Sequence, residues 1–545
     1  MNYALHALME IIRHIYLKKQ GIPLQKQGNV RELEIYRDSD ILSEVWAVVG
    51  GGAREWALAE SITRSKNVSE VHVLPGNLGG AFEKKCIWPI GNDRVKIKNF
   101  DDVKKFFIDY KQEIQENNGR VKRLDDLDDI VSYLSENNID MVIGGQEKYL
   151  SLGLKESCEK KGIPCWGPTS KAMVVEADKC NTNDLMKKWD IPCPSFENFY
   201  SPESAKAFLK NNFGKNGKKY VVKYPYLLDG KGSRVCNTLE EALSAVDDFM
   251  ISGVICKPVD KLTIEERLYG EEVMVFYAVH EGNVKYLGSA KDFPERFDHE
   301  DTFLIERFNK RMGHPSEMVN YITGGMGVVA PHPLLKGRED LVKKIEDTIV
   351  VPFLTNLLEE EKLAFNGIIY FGLCALKEKN TYNFYVFEIN GRDGSPEAEG
   401  RWPIIETSLY DITKKSYEGK LEEDLNIKFK DNVCVGVFTV SGSFPWFKGC
   451  GFEASQMPPG YPGKHLTGQV IDYSNDIPHN SFHRHAGTFI TQTGNVAVGG
   501  GRVILGGGLA GTYSEASKIA YEVISDRYMR FVGKSFRKKI GEGID

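Results

Sequence analysis

Two residues on one predicted strand carry the clearest chemical signal in this sequence. The stretch VFEINGRDGSPE, residues 386–397, places Glu388 and Asn390 two positions apart, just before a glycine. Side chains alternate faces along a β-strand, so these two project to the same side. Mg²⁺ accepts carboxylate and amide oxygens and fills its other positions with water and phosphate oxygens. The spacing predicts a magnesium–nucleotide site, although a solvated strand end before a turn would have the same spacing.

Strands that end in glycines are the second signal. VWAVVGGGAREWALAESITRS, at 45–65, predicts a buried strand, a turn at Gly50, Gly51 and Gly52, and then a helix. VSEVHVLPGN and MVIGGQE continue the pattern, which predicts a doubly wound parallel sheet. Backbone N–H groups of such a turn can approach an anion at the helix N-terminus. The spacing is not G-x-G-x-x-G, so a tight turn without a ligand fits the glycines as well.

The chain changes character after about residue 169. YVVKYPYLLDGKGSRV places Lys223 at the end of a β-like run and Lys231 in a glycine-bearing loop. LTIEERLYGEEVMVFYAV predicts two strands with a turn at Gly270, and TGGMG at 323–327 leaves its backbone open. From about 426, short strands with glycine-rich turns precede a helix near 513–527. This order predicts several domains, as a length of 545 residues also does.

Composition excludes some classes of function. The formal charge of -6 and the pI near 6.1 argue against general affinity for nucleic acid or anionic membranes. The ten cysteines form no C-x-x-C pair, which indicates reduced thiols in a cytoplasmic protein. No apolar run reaches the length of a membrane span. The N-terminal MNYALHALMEIIRHIYLKK predicts an amphipathic helix that docks on this protein or on a neighbouring subunit, in preference to a transit segment.

The motifs in their order resemble the phosphoribosylamine–glycine ligase (glycinamide ribonucleotide synthetase) family of the ATP-grasp superfamily. The resemblance covers about 45–541. It rests on GGGAREWALA, LPGNLGG, the GPT segment that leads to Lys179, VVKYPYLLDGKG, IEERLYGEE, TGGMG, EINGRDGSPE, HAGT at 485–488, GGRV at 500–503 and FRKKIG at 536–541. Each motif is short, and their order along one chain carries the resemblance.

The resemblance implies an α/β and α+β multidomain fold. Its parts are an N-terminal doubly wound parallel α/β domain, a central ATP-grasp domain with a lid subdomain, and a small mostly-β C-terminal domain. The expected limits are 1–40 for an N-terminal extension of helix and linker, 41–168 for the substrate-phosphate domain, 169–425 for the ATP-grasp domain with its lid at about 180–260, and 426–545 for the C-terminal domain.

The implied activity is an ATP-dependent ligation in purine biosynthesis. Glycine joins 5-phosphoribosylamine through a glycyl phosphate intermediate, giving glycinamide ribonucleotide, ADP and phosphate. ATP and Mg²⁺, with Mn²⁺ as an alternative ion, are the implied cofactors. The implied partners are these small molecules, without nucleic acid or membrane. A cytoplasmic monomer or homodimer is expected.

The resemblance assigns roles to residues that match its motifs. Glu388 and Asn390 are the implied Mg²⁺ ligands. The implied ATP-binding residues comprise cations at the phosphates, a glycine-bearing lid, a hinge that meets adenine and acids at the ribose hydroxyls. They are Lys179, Lys223, Gly230, Gly232, Glu265, Glu266, Leu268, Glu271 and Glu272. Of the two acids at the ribose, Glu271 is preferred to Glu272.

The implied catalytic residues are Arg392, Lys231 in the lid, and Asp292 near the reacting amine and carboxylate. Arg392 is chosen because a guanidinium fork matches phosphoryl or acyl-phosphate oxygens. The implied substrate-binding residues are Gly50, Gly51, Gly52, Arg54, Glu55, Asn77, Thr323, Gly324, Gly325, Met326 and Gly327.

Several residues depart from the family's motifs. Trp56 stands in place of histidine, Ile322 of asparagine, Asp393 of phenylalanine and Ser395 of aspartate, and insertions occur near 297–320 and 444–460. Three interpretations therefore stay open: a divergent phosphoribosylamine–glycine ligase, an ATP-grasp ligase for another amino acid or amine, and a nucleotide-binding protein without turnover. Retention of both lysines and of the Glu388, Asn390 and Arg392 side chains favours an enzyme.

Overall fold

A computed structural model describes residues 43–77, 79, 85–91, 93–98, 100–109, 123–228, 232–252, 257–312, 320–421, 425–442, 458–474, 476–491 and 493–544. The helix and linker predicted at 1–40 lie outside these residues, as does most of the insertion predicted at 444–460. No helix among the described residues is both long and apolar enough to cross a lipid bilayer.

The first sheet has helices on both faces. Its elements are β1 (Glu44–Gly50), α1 (Ala53–Thr63), β2 (Val68–Pro75), β3 (Cys86–Ile90), β4 (Val95–Ile97), α2 (Phe100–Asp109), α3 (Leu127–Glu136), β5 (Met141–Gly144), α4 (Glu147–Ser151), α5 (Leu154–Lys160) and β6 (Cys165–Trp166). The strand order is β4-β3-β2-β1-β5-β6, parallel except for β3 with β4. Trp46 and Val48 share a core cluster with Trp56 of α1, whereas Ala47 and Val49 face a cluster containing α3. The predicted doubly wound sheet is confirmed.

A smaller antiparallel sheet follows, here called the lid sheet. The elements of this part are α6 (Val174–Ala177), α7 (Lys179–Lys188), β7 (Phe196–Phe199), α8 (Pro202–Asn212), a 3₁₀ turn (Lys215–Gly217), β8 (Tyr220–Lys223), β9 (Ser233–Cys236), α9 (Leu239–Asp247), a π turn (Asp248–Ser252) and β10 (Leu262–Glu266). The order is β7-β10-β8-β9. Leu209 of α8 and Val246 of α9 pack with Val222 and Ile264, so both helices share one core with the sheet.

The third sheet is the largest and carries the predicted metal ligands. Its first part contains β11 (Glu271–His280), β12 (Asn283–Asp292), α10 (Thr302–Met312), β13 (Gly327–Ala330), α11 (Glu339–Ile345), a π turn (Glu346–Val350), α12 (Val351–Glu359), β14 (Asn366–Glu378), β15 (Thr381–Asn390), α13 (Glu397–Arg401), a 3₁₀ turn (Trp402–Ile404) and α14 (Leu409–Tyr417). Strands β11, β14 and β15 are long and pair antiparallel. Their apolar residues on one face pack against α12 through Phe353 and Leu357.

The C-terminal strands continue this same sheet. They are β16 (Val433–Ser441), β17 (Asp472–Tyr473), β18 (Ser481–His485), β19 (Thr488–Ile490), β20 (Val496–Val498), β21 (Arg502–Ala510), α15 (Tyr513–Val523), β22 (Met529–Arg530) and β23 (Lys534–Ser535). The order is β15-β14-β11-β12-β13-β16-β21-β18, with β23 also paired to β16. Gly327 of β13 pairs with Val437 of β16. The sheet thus runs through the boundary predicted at 425, and it carries C-terminal residues toward the cleft described below.

Candidate active site

A cleft of about 890 Å³ has walls from the lid sheet and from the large sheet. Four separate parts of the chain contribute to its lining, through Gly52 before α1, Lys223 on β8, Glu388 on β15 and Arg502 on β21. A cleft of this volume suits a nucleotide together with a smaller molecule. The fold therefore brings distant sequence motifs to one site.

Lys223 lies in the cleft wall as part of a buried ion pair. Its Nζ lies 2.7 Å from Glu265 Oε2 on β10 and donates to the Phe387 carbonyl at 2.6 Å. Asn183 of α7 donates to the other oxygen of Glu265 at 2.9 Å. Lys223 and Glu265 are only 5 % and 3 % exposed, so the two charges balance each other inside the protein. These contacts hold the Lys223 ammonium at a fixed point on the cleft.

Lys179 stands beside Lys223 at the start of α7. Asp178 caps this helix by accepting a hydrogen bond from the Asn181 N–H at 3.3 Å. Lys179 Nζ donates to the Tyr226 carbonyl at 3.2 Å. Burial lowers the pKa of Lys179, and the Glu388 carboxylate opposes this effect. Both lysines predicted to meet phosphates therefore line the cleft near the predicted metal ligands.

The lid loop predicted over the phosphates is only partly described. Gly230 and Lys231 lie outside the described residues, so their predicted roles stay predictions. Gly232 lines the cleft, and its carbonyl accepts a hydrogen bond from the Tyr224 N–H at 2.7 Å.

Glu388 and Asn390 lie on β15 and both line the cleft. They pair with Gly372 and Tyr370 of β14, which fixes their height in the sheet. Asn390 is 7 % exposed, and its Nδ2 has no hydrogen-bond partner among the residues that the structure describes. Two oxygen-bearing side chains therefore lie on the cleft. Phe387 and Ile389 line it as well, and the pairing of β15 with β14 is irregular at this point.

The predicted hinge and the two acids at the start of β11 differ in how they meet the cleft. Glu265, Glu266 and Leu268 line the cleft, as expected for a hinge that meets adenine. On β11, however, Glu272 lines the cleft, whereas the Glu271 carboxylate is outside the described lining, 3.2 Å from Lys291 Nζ. Successive residues of a strand face opposite sides. Glu272 is therefore the acid of this pair that lines the cleft, and the preference for Glu271 as the ribose acceptor stays a prediction.

Two arginines, Arg54 and Arg392, also line the cleft. Arg392 Nη2 lies 2.9 Å from Glu176 Oε1, and Arg392 Nε lies 3.2 Å from Glu147 Oε2. Arg54 Nη2 also lies near Glu147, at 3.4 Å, and Arg54 Nε lies 2.7 Å from Glu55 Oε1. Glu55 in turn accepts a hydrogen bond at 2.7 Å from the backbone N–H that precedes α1. The sequence predicted both arginines and Glu55, but it missed Glu147 and Glu176.

The charges in this arginine cluster are strongly coupled. Burial disfavours the charged form of Arg392, but Glu176 and Glu147 raise the pKa of Arg392 above its usual value. Burial would raise the pKa of Glu147, yet Arg392 and Arg54 lower it to about 2. Burial raises the pKa of Glu176, with Arg392 opposing. Both guanidinium groups are therefore charged at neutral pH and held within a buried network. Glu147 belongs to the sequence GGQE at the end of a strand, and this position is the one sequence feature that could have indicated a site residue.

Asp292 ends β12 and lines the cleft. Burial, and then the neighbouring Glu397, raise the pKa of Asp292 well above its usual range. Glu397 also lines the cleft, and burial raises its pKa to about 6. Sequence reasoning missed Glu397, although it follows the proline of the EINGRDGSPE motif.

The TGGMG loop divides between the cleft and the core. Thr323 and Gly324 line the cleft, and Thr323 Oγ1 donates to the Pro294 carbonyl at 2.7 Å. Gly325 has φ +99°, and a Cβ there would lie 2.4 Å from Pro396 Cδ, so the loop requires glycine.

The rest of this loop is buried or paired in the sheet. Met326 is fully buried with C-terminal apolar residues, and Gly327 is paired in β13. Gly325, Met326 and Gly327 therefore shape the loop from behind, and the substrate contact predicted for them stays a prediction. Arg502, which had no predicted role, lines the cleft and donates to the carbonyls of Gly324 and Ser395.

The Asn77 side chain is buried and bonded to protein groups on both of its polar atoms. It is 2 % exposed, and its Oδ1 accepts hydrogen bonds from the Trp56 indole N–H and, at 2.8 Å, from the Gly79 N–H. Its Nδ2 donates to the carbonyls of Gly51 and His485, each at 3.0 Å. Both polar atoms of its side chain bind protein groups, so Asn77 holds the glycine turn in place, and the predicted substrate contact stays a prediction. Of the three turn glycines, Gly52 lines the cleft, whereas Gly50 and Gly51 are not in the described lining.

The departures from the family's motifs fall into two groups. Trp56 keeps an N–H donor to Asn77 in the position of a histidine, away from the cleft lining. Asp393 is 2 % exposed and its carboxylate faces Arg401 in the core. Ile322 and Ser395 line the cleft. Of these four residues, Ile322 and Ser395 are therefore the two in the described cleft lining.

A cleft between an antiparallel lid sheet and a larger sheet, lined by Lys179, Lys223, Glu388 and Asn390, is the arrangement of an ATP-grasp enzyme. Family models agree with this class. Residues 45–176 match the phosphoribosylglycinamide synthetase N domain, residues 177–398 its ATP-grasp (A) domain and residues 455–543 its C domain. The chain belongs to the phosphoribosylglycinamide synthetase family.

Relatives extend over most of the chain. A phosphoribosylamine–glycine ligase of Archaeoglobus fulgidus is 32 % identical over 508 residues, which cover 91 % of this chain and 98 % of the relative. One of Salmonella typhimurium is 28 % identical, covering 91 % and 97 %. The crystal structure of a phosphoribosylamine–glycine ligase from Thermotoga maritima has a TM-score of 0.63 at 21 % identity, covering 91 % of this chain and 99 % of that one. This structural likeness shows the shared fold.

Proposed function

We propose that this protein uses ATP to join glycine to 5-phosphoribosylamine, giving glycinamide ribonucleotide, ADP and phosphate. The observation that carries the proposal is the cleft, which is lined by two lysines, by Glu388 and Asn390, and by a charged arginine cluster. Family membership supports the choice of substrates. De novo purine biosynthesis is the pathway that consumes this product.

The side chains on β15 fit a magnesium ion. Mg²⁺ prefers oxygen ligands and keeps several positions for water and phosphate oxygens, so two protein ligands suffice when ATP is present. Asn390 Nδ2 lacks a partner in the described part of the chain, which leaves the amide able to turn its oxygen toward a cation. Glu388 and Asn390 would hold the ion, and Mg²⁺ would neutralise charge on the ATP phosphates. No larger metal-binding group of His, Cys, Asp or Glu occurs among the described residues.

The first step activates the glycine carboxylate. Its oxygen attacks the γ-phosphorus of ATP, the bond to the β–γ bridging oxygen breaks, and ADP leaves with that electron pair. Lys179 and Lys223 bind the phosphate oxygens through fixed ammonium groups. Arg392, held charged by Glu176 and Glu147, stabilises negative charge near the transferred phosphoryl group.

The second step forms the amide bond. The amine of 5-phosphoribosylamine attacks the acyl carbon of glycyl phosphate, the bond from that carbon to the bridging oxygen breaks, and phosphate leaves. The amine proton passes to the leaving phosphate or to solvent. Water would compete for the acyl phosphate, so closure of the lid sheet over the cleft protects the intermediate. Glu272, on the cleft face of β11, would accept the ribose hydroxyls of ATP.

A test of the proposal measures product as well as phosphate. Purified protein receives Mg·ATP, ¹³C-labelled glycine and 5-phosphoribosylamine formed in situ from ribose 5-phosphate and ammonia. We expect phosphate release that requires both substrates and a ¹³C-labelled product with the mass of glycinamide ribonucleotide. Phosphate release that ignores glycine would contradict the proposal.

A second candidate function is supported by Ile322 and Ser395. Both line the cleft, and both differ from the family's motif. An altered amino-acid or amine pocket would leave ATP use intact. Turnover with another small amino acid that exceeds turnover with glycine, in the same phosphate assay, would support this candidate.

A further inference from the structure

Arg54 and Arg392 share a single carbonyl. The Asp393 oxygen accepts a hydrogen bond from Arg54 Nη1 at 3.1 Å and from Arg392 Nη1 at 3.1 Å. The same two guanidinium groups also share the Glu147 carboxylate. Two like charges this close repel each other, so shared acceptors decide where each guanidinium group lies. The Asp393 carbonyl is one of these acceptors, and its position matters for both arginines.

The Asp393 side chain fixes that carbonyl from behind. Its Oδ1 lies 2.5 Å from Arg401 Nη2 and accepts from the Gly394 N–H at 2.9 Å, and its Oδ2 accepts from the Trp402 indole N–H at 2.8 Å. Asp393 stands between Gly391 and Gly394, where the backbone has more freedom than elsewhere. A side chain held by three donors removes that freedom.

Arg401 links this contact to the large sheet. It is fully buried, and its Nη1 donates to the Leu287 carbonyl of β12 at 2.8 Å. Its guanidinium carbon lies 4.2 Å from the centre of the Phe276 ring on β11. Asp393 is therefore attached to the sheet whose strand β15 carries Glu388 and Asn390.

We propose that Asp393 is a positioning residue: its carboxylate, held by Arg401 and Trp402, fixes the carbonyl on which Arg54 and Arg392 are aligned toward the cleft. The inference rests on the proposed function, in which Arg392 acts on the transferred phosphoryl group. The family's motif has phenylalanine at this position, and a phenylalanine side chain cannot accept these hydrogen bonds.

A double-mutant cycle tests the inference. Asp393→Asn keeps the side-chain shape but removes its charge, and we expect kcat to fall about 10-fold, with KM for ATP unchanged, since the contacts that hold Lys179 and Lys223 do not involve Asp393. In an Arg392→Lys background we expect Asp393→Asn to change kcat less than about twofold, because the fork that it positions is already lost. Equal factors in both backgrounds would overturn the inference.

A matched buried pair provides the control. Asp298 is 4 % exposed, its Oδ1 lies 2.9 Å from Arg537 Nε, and its Oδ2 accepts from the Lys538 N–H at 2.9 Å, outside the described cleft lining. Asp298→Asn should lower the melting temperature while leaving kcat near the wild-type value. An equal loss of kcat in this variant would mean that Asp393→Asn acts through stability, against the inference.

A direct structural measurement keeps the two proposals separate. Wild-type protein without glycine-dependent phosphate release would count against the proposed function alone. Crystal structures of wild type and Asp393→Asn then decide the inference: we expect the Arg54 and Arg392 guanidinium groups to leave the 393 carbonyl, and unchanged positions would overturn it. Trp402→Phe, which removes one donor and keeps the ring, provides a milder variant with the same expected direction should Asp393→Asn not fold.

Discussion

Two parts of the cleft lining balance their charges differently. In the part formed by β8, β10 and β15, Lys223 is paired with Glu265, while the Asn390 amide nitrogen has no partner among the described residues. In the second part, the arginine cluster, Arg54 and Arg392 are joined to Glu55, Glu147 and Glu176 within one buried network. The first part leaves a side chain available to a ligand, whereas the second holds its charges in ion pairs before any ligand arrives.

This difference separates binding from positioning. An available ligand pair favours recruitment of a metal ion and the phosphates it neutralises. An ion-paired arginine network favours preorganised electrostatic stabilisation, because its charged groups are already held in place when charge develops in the reaction. Substitutions in the first part should therefore reduce turnover by impairing the binding of the metal ion and ATP. Those in the second part should lower kcat with less effect on ATP binding.

The largest effect should come from removing both predicted metal ligands. Glu388→Ala with Asn390→Ala should reduce phosphate release by about 10³-fold or more, since the metal contributes several kcal/mol of charge stabilisation. Glu378→Ala with Asn383→Ala removes a hydrogen-bonded acid and amide at the far end of the same two strands, and should leave the rate near wild type. Comparable losses in both pairs would contradict the metal site.

Arg392→Lys should have the next largest effect. It keeps one charge but loses the planar fork, so kcat should fall by about 10²-fold while KM for ATP changes little. Arg338→Lys, at an exposed arginine paired with Asp340, is the matched control. A change in KM for ATP with normal kcat would assign Arg392 to nucleotide binding. It would contradict the division of the cleft lining into residues that bind ATP and residues that stabilise developing charge.

Lys223→Met should raise KM for ATP about 10-fold and also destabilise the fold. Removing one member of a buried ion pair costs about 3–5 kcal/mol, because Glu265 then keeps a buried charge without its partner. Glu265→Gln in the Lys223→Met background should restore part of the lost stability, as measured by urea unfolding. Lys188→Met, at an exposed lysine, serves as the control. No recovery in the double variant would show that the pair is not the cause.

Ile322→Asn and Ser395→Asp, toward the family's motif, should have small effects. If glycine is the substrate, each should change glycine-dependent kcat/KM by less than about fivefold or reduce it, since the pocket is adapted to the present residues. A clear rise in glycine turnover would instead support a different natural substrate.

A pH effect on stability is the smallest expected change. Burial raises the pKa of Glu399, behind Ser395, to about 7. The folded protein therefore holds a proton that the unfolded chain has released, and stability falls as pH rises from the unfolded pKa of about 4.5 through about 7. Glu399→Gln should lack this loss, so its melting temperature relative to wild type should increase from about pH 5 to about pH 8. A pH-independent difference would contradict the raised pKa.

Much of the architecture could be predicted from local pattern. Continuous apolar strands followed by glycines predicted the parallel sheet, and the alternation of β-strand side chains predicted that Glu388 and Asn390 face one way. These features depend on a few neighbouring residues, which is why one sequence reveals them.

Features that depend on distant segments could not be predicted in this way. The pairing of Arg392 with Glu147 and Glu176 joins three separate elements, and the continuation of the large sheet from β13 into β16 crosses a predicted boundary. The direction of Glu271 depends on the register of β11 against β14, which the acidic run itself does not contain. A positional role for Asn77 likewise requires knowing that His485 lies beside it.

The most direct test of the central claim follows an oxygen atom. If the glycine carboxylate attacks ATP and the acyl phosphate is then broken by the amine, each phosphate released carries one carboxylate oxygen. With glycine labelled by ¹⁸O in both carboxylate oxygens, the account predicts one ¹⁸O atom per phosphate, as measured by mass spectrometry, and one retained in the amide product. Phosphate without ¹⁸O would show that glycine is not activated by phosphorylation at this site, and would contradict the account.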